Sequence, residues 1–379
     1  VGVTTDEQFM LEALACAALG RGAVEPNPMV GAVLVRDGAV LARGHHKRFG
    51  GAHAEVEAIA AARADGADVR GATMYVTLEP CCHQGKTPPC TRAIIEAGIS
   101  RVVAAMEDPD SRVCGKGLLA LAQAGVEVAR GVLEADAREL LAPYIKLRTH
   151  RRPWVVCKWA QTSDGFLALP PGRGRWITGD SARCHVHQLR GLCDGVCVGI
   201  GTVIADDPEL TNRSPGGRQP RRLVLDGNLR LPHRSRLVQT AAAHGLIVAT
   251  TDAALEHHSD KYDWLRNCAG VEVLVLPEHG RQAAGRAARA VDLPALLDAL
   301  GELEWTHLLV EGGARVHRSF IEEGLADELA VYVAPSRAGL CPDLPRLDIA
   351  ALAASRPMRL REQMHFGDDA FFGYRLSGG

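Results

Sequence analysis

Aromatic side chains are scarce in this chain: Phe, Trp and Tyr together make up 4% of its 379 residues. That leaves little material for the stacking platforms on which single-stranded nucleic acids bind. Net charge is nearly absent too, at −2, so no global basic field argues for a nucleic-acid partner. No apolar run reaches the ~18–20 residues of a membrane span. The opening residues, Val1-Gly2-Val3-Thr4-Thr5-Asp6, lack a basic start and an apolar core, so no signal peptide is expected. The eleven cysteines are odd in number and dispersed. With two of them at metal-ligand spacing, they point to a reducing compartment, the cytoplasm, and not to a disulfide framework. The rest, 47% hydrophobic and 23% charged, suits a globular chain long enough for two cores.

What is present concentrates first in His53-Ala54-Glu55 and then in Glu79-Pro80-Cys81-Cys82-His83-Gln84-Gly85-Lys86-Thr87-Pro88-Pro89-Cys90. Zinc prefers nitrogen and thiolate ligands in a tetrahedron, and a catalytic zinc keeps one position for water. His53, Cys81 and Cys90 supply three ligands, Cys81 being chosen over Cys82 by the Pro-Cys pattern. Glu55, two residues past His53, reaches the water without binding the metal. Zinc deaminases of nucleobases share His-x-Glu and Pro-Cys-x-x-Cys, with the glutamate as general acid and base. Here a longer loop separates the two cysteines. Thr87 is placed to cap a helix with Pro88 at its first position, which sets Cys90 in the first turn, where the helix dipole favours a thiolate.

Periodicity places a helix from about Glu7 to Leu19, capped by Asp6 or Thr5, and a hairpin around Asp37-Gly38. Strands over Ala72–Thr77 and Arg101–Met106 alternate with helices Ala54–Ala64, Cys90–Ala97 and Leu118–Ala124. This implies a layered α/β domain over residues 1–149, ending in a connecting helix. A second α/β domain spans 150–379. Its apolar strands, Trp154–Trp159, Val196–Ile200, Arg222–Leu225, Leu246–Ala249, Val271–Leu276 and Thr306–Val310, suit a largely parallel buried sheet. Gly280–Arg289 reads as a surface excursion. Glu311-Gly312-Gly313, between a strand and a helix, suits phosphate. The Lys158 loop, the Arg175-Trp176-Ile177-Thr178-Gly179 stretch, read as opening a helix, and the Gly199–Arg213 loop fall at the same carboxyl side of the sheet. On these residues alone, a deaminase of another pyrimidine and a zinc scaffold without catalysis stay open.

Asn27-Pro28-x-Val30-Gly31, His53-Ala54-Glu55, the Glu79–Cys90 loop, Gly201-Thr202-x-x-Ala205-Asp206-Asp207-Pro208 and Glu311-Gly312-Gly313 occur in one order. Together they resemble the bifunctional riboflavin-biosynthesis deaminase–reductases over nearly the whole chain. The resemblance implies a cytidine-deaminase-like α/β/α domain followed by a dihydrofolate-reductase-like α/β domain. It also implies one zinc, NADPH, phosphorylated pyrimidine substrates and self-association. Asn27, His46, His83 and Lys86 would touch the deaminase substrate. In the second half, Lys158, Thr178, Asp206 and Glu311 would lie where substrate meets cofactor. Gly174, Arg190, Leu210 and Arg213 would contact substrate. Ala160, Trp176, Thr202, Asp206, Gly227, Gly313, Ala314, Arg315, Val316, His317, Arg318 and Ser319 would contact NADPH. The Asp108-Pro109-Asp110-Ser111 loop departs from the family's Asp-Pro-Asn-Pro, and no contact is carried over onto it.

Overall fold

Thr4 caps the first helix, α1 (Thr5–Ala18): its hydroxyl accepts from Glu7 N–H while the Glu7 carboxylate accepts from Thr4 N–H. The cap therefore lies just ahead of Thr5 and Asp6, where Thr4 and Glu7 satisfy each other's end amides. The computed structural model describes residues 4–84, 88–279, 282–283, 286–287, 290–339 and 341–377. The chain divides into two units, Val1–Arg151 and Arg152–Gly379. No helix among the described residues is long and apolar enough to cross a membrane.

The first unit is built on a five-stranded sheet. β1 (Gly31–Arg36) pairs antiparallel with β2 (Ala39–His45) and with β3 (Thr73–Val76). β4 (Arg101–Ala104) and β5 (Glu127–Arg130) extend it in parallel from β3. Ala32, Leu34, Met74 and Val76 bury one face, beneath α2 (Ala54–Ala64) and α3 (Cys90–Glu96). Val33, Val35 and Tyr75 bury the other, against Phe9, Met10 and Ala13 of α1. This period-2 division of side chains makes the three layers. α2 lies so near β2 that a Cβ on Gly44 would stand 2.4 Å from the Ala54 carbonyl oxygen. Glycine there lets the helix that carries His53 and Glu55 sit on the sheet. The unit continues through α4 (Lys116–Gln123) and two helices, α5 (Glu134–Leu140) and α6 (Ala142–His150), where one connecting helix was expected.

The second unit holds a nine-stranded sheet. Its strands are β6 (Trp154–Thr162), β7 (Gly195–Gly199), β8 (Arg221–Leu225), β9 (Leu246–Thr251), β10 (Val271–Leu276), β11 (His307–Val310), β12 (Glu328–Ala334), β13 (Met358–Phe366) and β14 (Asp369–Leu376). In space the order is β10-β9-β8-β7-β11-β6-β12-β14-β13. The run from β10 to β12 is parallel throughout, and the last two strands are an antiparallel hairpin on its edge. Val155, Cys157 and Trp159 turn to one core, while Val156 and Ala160 turn to the other side. Lys158 shares the latter face. α7 (Asp180–Leu192) is capped by Gly179, so Arg175 and Trp176 lie in the loop before it and open no helix. Of Gly280–Arg289 only Gln282–Ala283 and Arg286–Ala287 are described, as a two-residue antiparallel pair.

Candidate active sites

His53 is the N-cap of α2 and Glu55 stands in its first turn. Cys90 is the first residue of α3, capped by Pro89, so both prolines precede the helix; Thr87, expected as the cap, lies outside the described residues. Two helix starts thus converge. His53 Nδ1 is 3.6 Å from Cys81 Sγ and 3.2 Å from Cys90 Sγ. All three ligand atoms lie within 4.8 Å of one another. A tetrahedral zinc with its usual bond lengths separates nitrogen from sulfur by about 3.6 Å, so the cluster fits that metal. The charges agree with this. The Cys90 thiol beside it and the His53 ring bring the Cys81 thiol down to about 4, while Cys90, facing an already ionised Cys81 in a buried place, is pushed up. A divalent cation between them removes that repulsion.

Glu55 is 3% exposed, and its Oε2 is buried with no hydrogen-bond partner. Burial, followed by the charge of Cys81, raises its carboxyl to about 7. A buried oxygen so left needs a proton or a partner, and a general acid–base group has both in turn. Asn27 and His46 meet each other, Asn27 Nδ2 lying 3.1 Å from His46 Nε2. His46 Nδ1 is 2.8 Å from the Ala52 carbonyl oxygen and so carries the proton, leaving Nε2 to accept from the Asn27 amide. Burial lowers the His46 pKa, which keeps that ring neutral. His46 also meets His53 edge to face at 5.3 Å. His83 is half-buried with an unpartnered Nδ1. Lys86 lies outside the described residues.

One residue of this site escaped the sequence reading. Glu79, 4% exposed, accepts at Oε2 from Asp108 N–H (3.1 Å) and Gly115 N–H (2.8 Å). Its Oε1 accepts from Gly117 N–H (2.7 Å) and Leu118 N–H (3.2 Å). The carboxylate therefore caps α4 and fastens the loop before it to the strand end that carries Cys81. Its partners lie 29 to 39 residues on, beyond the reach of any local pattern.

In the second unit the strand register prepares the other site. Val310 stands opposite Cys157, so Glu311, one step past β11, falls level with Lys158. Glu311 Oε2 is 3.4 Å from Lys158 Nζ. Arg190 on α7 holds both carboxylate oxygens, Nε to Oε1 at 2.6 Å and Nη2 to Oε2 at 3.0 Å. Burial alone would raise the Glu311 carboxyl, but Arg190 and Lys158 outweigh it and hold it at about 2. Burial works the other way on Lys158, lowering its pKa against the pull of Glu311.

These groups line a cleft of about 1770 Å³. Ala160, Gly174, Trp176, Thr178, Thr202, Asp206, Arg213 and Gly227 line it as well. So do Gly313, Ala314, Arg315, Val316, Arg318 and Ser319. Two guanidinium groups stand over the Trp176 ring, Arg175 at 5.2 Å and Arg183 at 4.9 Å, the second from seven residues on. A Cβ on Gly201 would meet nothing within 4 Å, and one on Gly313 only Thr202 Oγ1 at 3.9 Å. Backbone is thus open to a ligand where α8 (Ile200–Asp206) and the helix Ala314–Glu322 begin. A cleft of this volume with exposed glycine backbone fits a dinucleotide beside a second ligand. Two of the residues expected at contacts, Leu210 and His317, are not among those lining the cleft. Leu210 is 4% exposed and packs among core side chains, at a positive φ of 57°. His317 is fully buried against Trp159, on the inner face of its helix, with neither ring nitrogen partnered.

A His-Cys-Cys metal cluster with a buried unpartnered glutamate, and a second α/β unit with a cleft for a dinucleotide, define a hydrolytic deaminase joined to a reductase. Comparison with known proteins agrees for each part. Residues 3–106 match the cytidine and deoxycytidylate deaminase zinc-binding region, and residues 153–345 match the RibD C-terminal domain. The riboflavin biosynthesis protein RibD of Aquifex aeolicus is 40% identical over 96% of both chains. That of Escherichia coli is 36% identical over 96% of this chain and 97% of its own. The Acinetobacter baumannii RibD structure superimposes with a TM-score of 0.81 at 32% identity, covering 99% of this chain and all of its own. The Thermotoga maritima diaminohydroxyphosphoribosylaminopyrimidine deaminase/5-amino-6-(5-phosphoribosylamino)uracil reductase gives 0.80 at 34%, covering 98% and 99%. The chain belongs to the RibD family, the bifunctional zinc- and NADPH-dependent deaminase–reductases of riboflavin biosynthesis.

Proposed function

We propose that this chain deaminates the phosphoribosylated diaminopyrimidine named for the Thermotoga maritima relative and then reduces the phosphoribosylaminouracil so formed. The first step is assigned to residues 1–149 and the second to 150–379. The observation that carries the reading is Glu55, a buried carboxyl with an unpartnered oxygen beside a three-ligand metal cluster. His53, Cys81 and Cys90 hold the zinc, which when bound makes water nucleophilic near neutral pH. Glu55 takes a proton from the attacking water and passes it to the ring nitrogen. It then takes the proton of the hydroxyl now on that carbon and delivers it to the amine, which leaves as ammonia while the carbonyl forms. The Asn27 carbonyl oxygen is free for a ring N–H because its amide nitrogen is committed to His46. His83 and Lys86 complete the substrate contacts, Lys86 as a point charge for the phosphate.

In the second unit NADPH supplies the hydride when bound, and the chain holds the opened sugar against it and keeps water out. Lys158, Thr178, Asp206 and Glu311 stand at the junction, with Arg190 and Arg213 toward the substrate. Gly174 contributes backbone only, and Leu210 can contribute no more than backbone. The glycine-fronted helix starts at Gly201 and Gly313, with Trp176, take the cofactor. The enzyme is read as a cytoplasmic homo-oligomer, from its cysteine usage and its resemblance to the family. Light scattering on the purified protein checks the oligomer.

The experiment is a two-stage assay on the zinc-loaded protein with the diaminopyrimidine phosphate. Ammonia released first, with NADPH oxidised only afterwards, is the expected result. Ammonia without NADPH oxidation would sink the second assignment, and no ammonia would sink the first.

A further inference from the structure

The strand order lays out the cleft as a ruler. From β6, which carries Lys158, the sheet passes through β11 and β7 to β8. β8 is thus three strand spacings, about 14 Å, from the reducing centre. A dinucleotide with its nicotinamide at Lys158 and its pyrophosphate on the backbone open at Gly313 and Gly201 would extend its adenosine end toward β8. The loop there, residues 226 to 231, lines the same cleft through Gly227, Asn228 and Arg230.

This loop is anchored at several points. Leu229 and Leu231, on either side of Arg230, are 4% and 1% exposed. Asp226 N–H donates to the Ala249 carbonyl, and Leu229 N–H to the Asp226 carbonyl. Thr251 Oγ1 donates to the Gly227 carbonyl at 3.0 Å. With its neighbours pinned inward, Arg230 projects outward, its side chain 54% exposed. In dinucleotide-binding α/β sheets, a strand-end acid that takes NAD accepts from the ribose 2′-hydroxyl, whereas an arginine nearby accommodates a 2′-phosphate. Here the strand-end acid is Asp226, fully buried and turned inward, its Oδ2 accepting from Leu231 N–H at 2.7 Å. Its other oxygen stands 3.9 Å from Arg230 Nε and steadies the guanidinium. The group offered to the cleft is the cation.

We propose that Arg230 reads the 2′-phosphate of the coenzyme and is the residue by which the reductase domain selects NADPH over NADH. The inference rests on the cleft taking a nicotinamide coenzyme. A guanidinium suits the task because its forked donors match phosphate oxygens, which a ribose hydroxyl cannot reciprocate with charge. Arg175, Arg183, Arg213, Arg315 and Arg318 also line the cleft; Arg315, at the start of the helix that follows β11, is two strands from β8 and serves as the comparison.

Calorimetric titration of the full chain, as wild type, Arg230→Ala, Arg230→Lys and Arg315→Ala, with NADPH, NADH, 2′,5′-ADP and 5′-AMP tests this directly. Arg230→Ala should weaken NADPH and 2′,5′-ADP about tenfold or more and leave NADH and 5′-AMP within about twofold, as loss of one charged hydrogen-bond partner predicts. Arg230→Lys should recover part of the loss. Equal weakening of both coenzymes, unchanged NADPH binding, or loss of selectivity in Arg315→Ala alone would each overturn the assignment. A wild-type chain that binds neither coenzyme would instead overturn the cofactor reading on which it stands.

Discussion

Arg190 grips Glu311 with two nitrogens on two oxygens, while Lys158 approaches the same carboxylate from a neighbouring strand. One buried anion therefore serves two buried cations, with side-chain exposures of 8%, 12% and 14%. Removing one member of such a cluster strands the others.

Glu311→Gln should destabilise the second unit by about 3–5 kcal/mol, the usual cost of breaking a buried pair. It should also change the acid limb of stability. Held near 2 instead of its ordinary 4.5, Glu311 contributes stability that is fully present above about pH 4.5 and lost as pH falls toward 2. Denaturant titrations between pH 5 and pH 2, compared with wild type, check both the size and the window.

Glu55→Ala should lower ammonia release by about 10²–10⁴-fold, the usual worth of a positioned acid–base group. Zinc content should stay at one per chain, because Glu55 supplies no ligand. Metal analysis beside the ammonia assay separates this from His53→Ala, which should lose metal and activity together. A scaffold without catalysis would show no ammonia release for Glu55→Ala to lower.

Gly117→Ala places a Cβ 2.0 Å from the Pro80 carbonyl oxygen, next to Cys81. The clash is with backbone, so something must move. A loss of about 1–3 kcal/mol is expected, as for other overpacked sites, together with weaker zinc retention in a chelator competition. Reductase turnover on preformed aminouracil phosphate should be unaffected.

Asp108 is 7% exposed and accepts from Tyr144 O–H at 3.0 Å. Burial raises its carboxyl to about 6. Its contribution to stability is therefore fully present below its ordinary 3.8 and declines as pH rises through 6. Asp108→Asn keeps the accepting oxygen without the charge. Its thermal midpoint should match wild type near pH 4 and exceed it above pH 7.

Much of this was legible in sequence wherever chemistry and local pattern coincided. The helix Ala54–Ala64 occupies the expected residues, and His53, Cys81 and Cys90 come together as their spacing implied. The parallel run of the second sheet was readable from its apolar strands. Of the final hairpin, Ala370–Leu376 reads as a strand and is one, whereas β13 is largely exposed and carries little apolar signal. Nor could the sequence tell which way a side chain faces within a helix start. His317 lies four residues beyond Gly313 and turns inward, whereas Arg315 and Arg318 turn to the cleft. Leu210 sits in a run of polar loop residues, and its packing into the core comes from contacts distant in sequence.

Glu79 accepts four main-chain amides, one for each lone-pair direction a carboxylate has. It has nothing left to offer water, and the strand end before Cys81 cannot move without releasing the segment from Asp108 to Leu118. Metal occupancy is thereby written into the main chain at a distance. Amide exchange at Gly115, Gly117 and Leu118, none of them a ligand, should slow when zinc binds and quicken when it leaves.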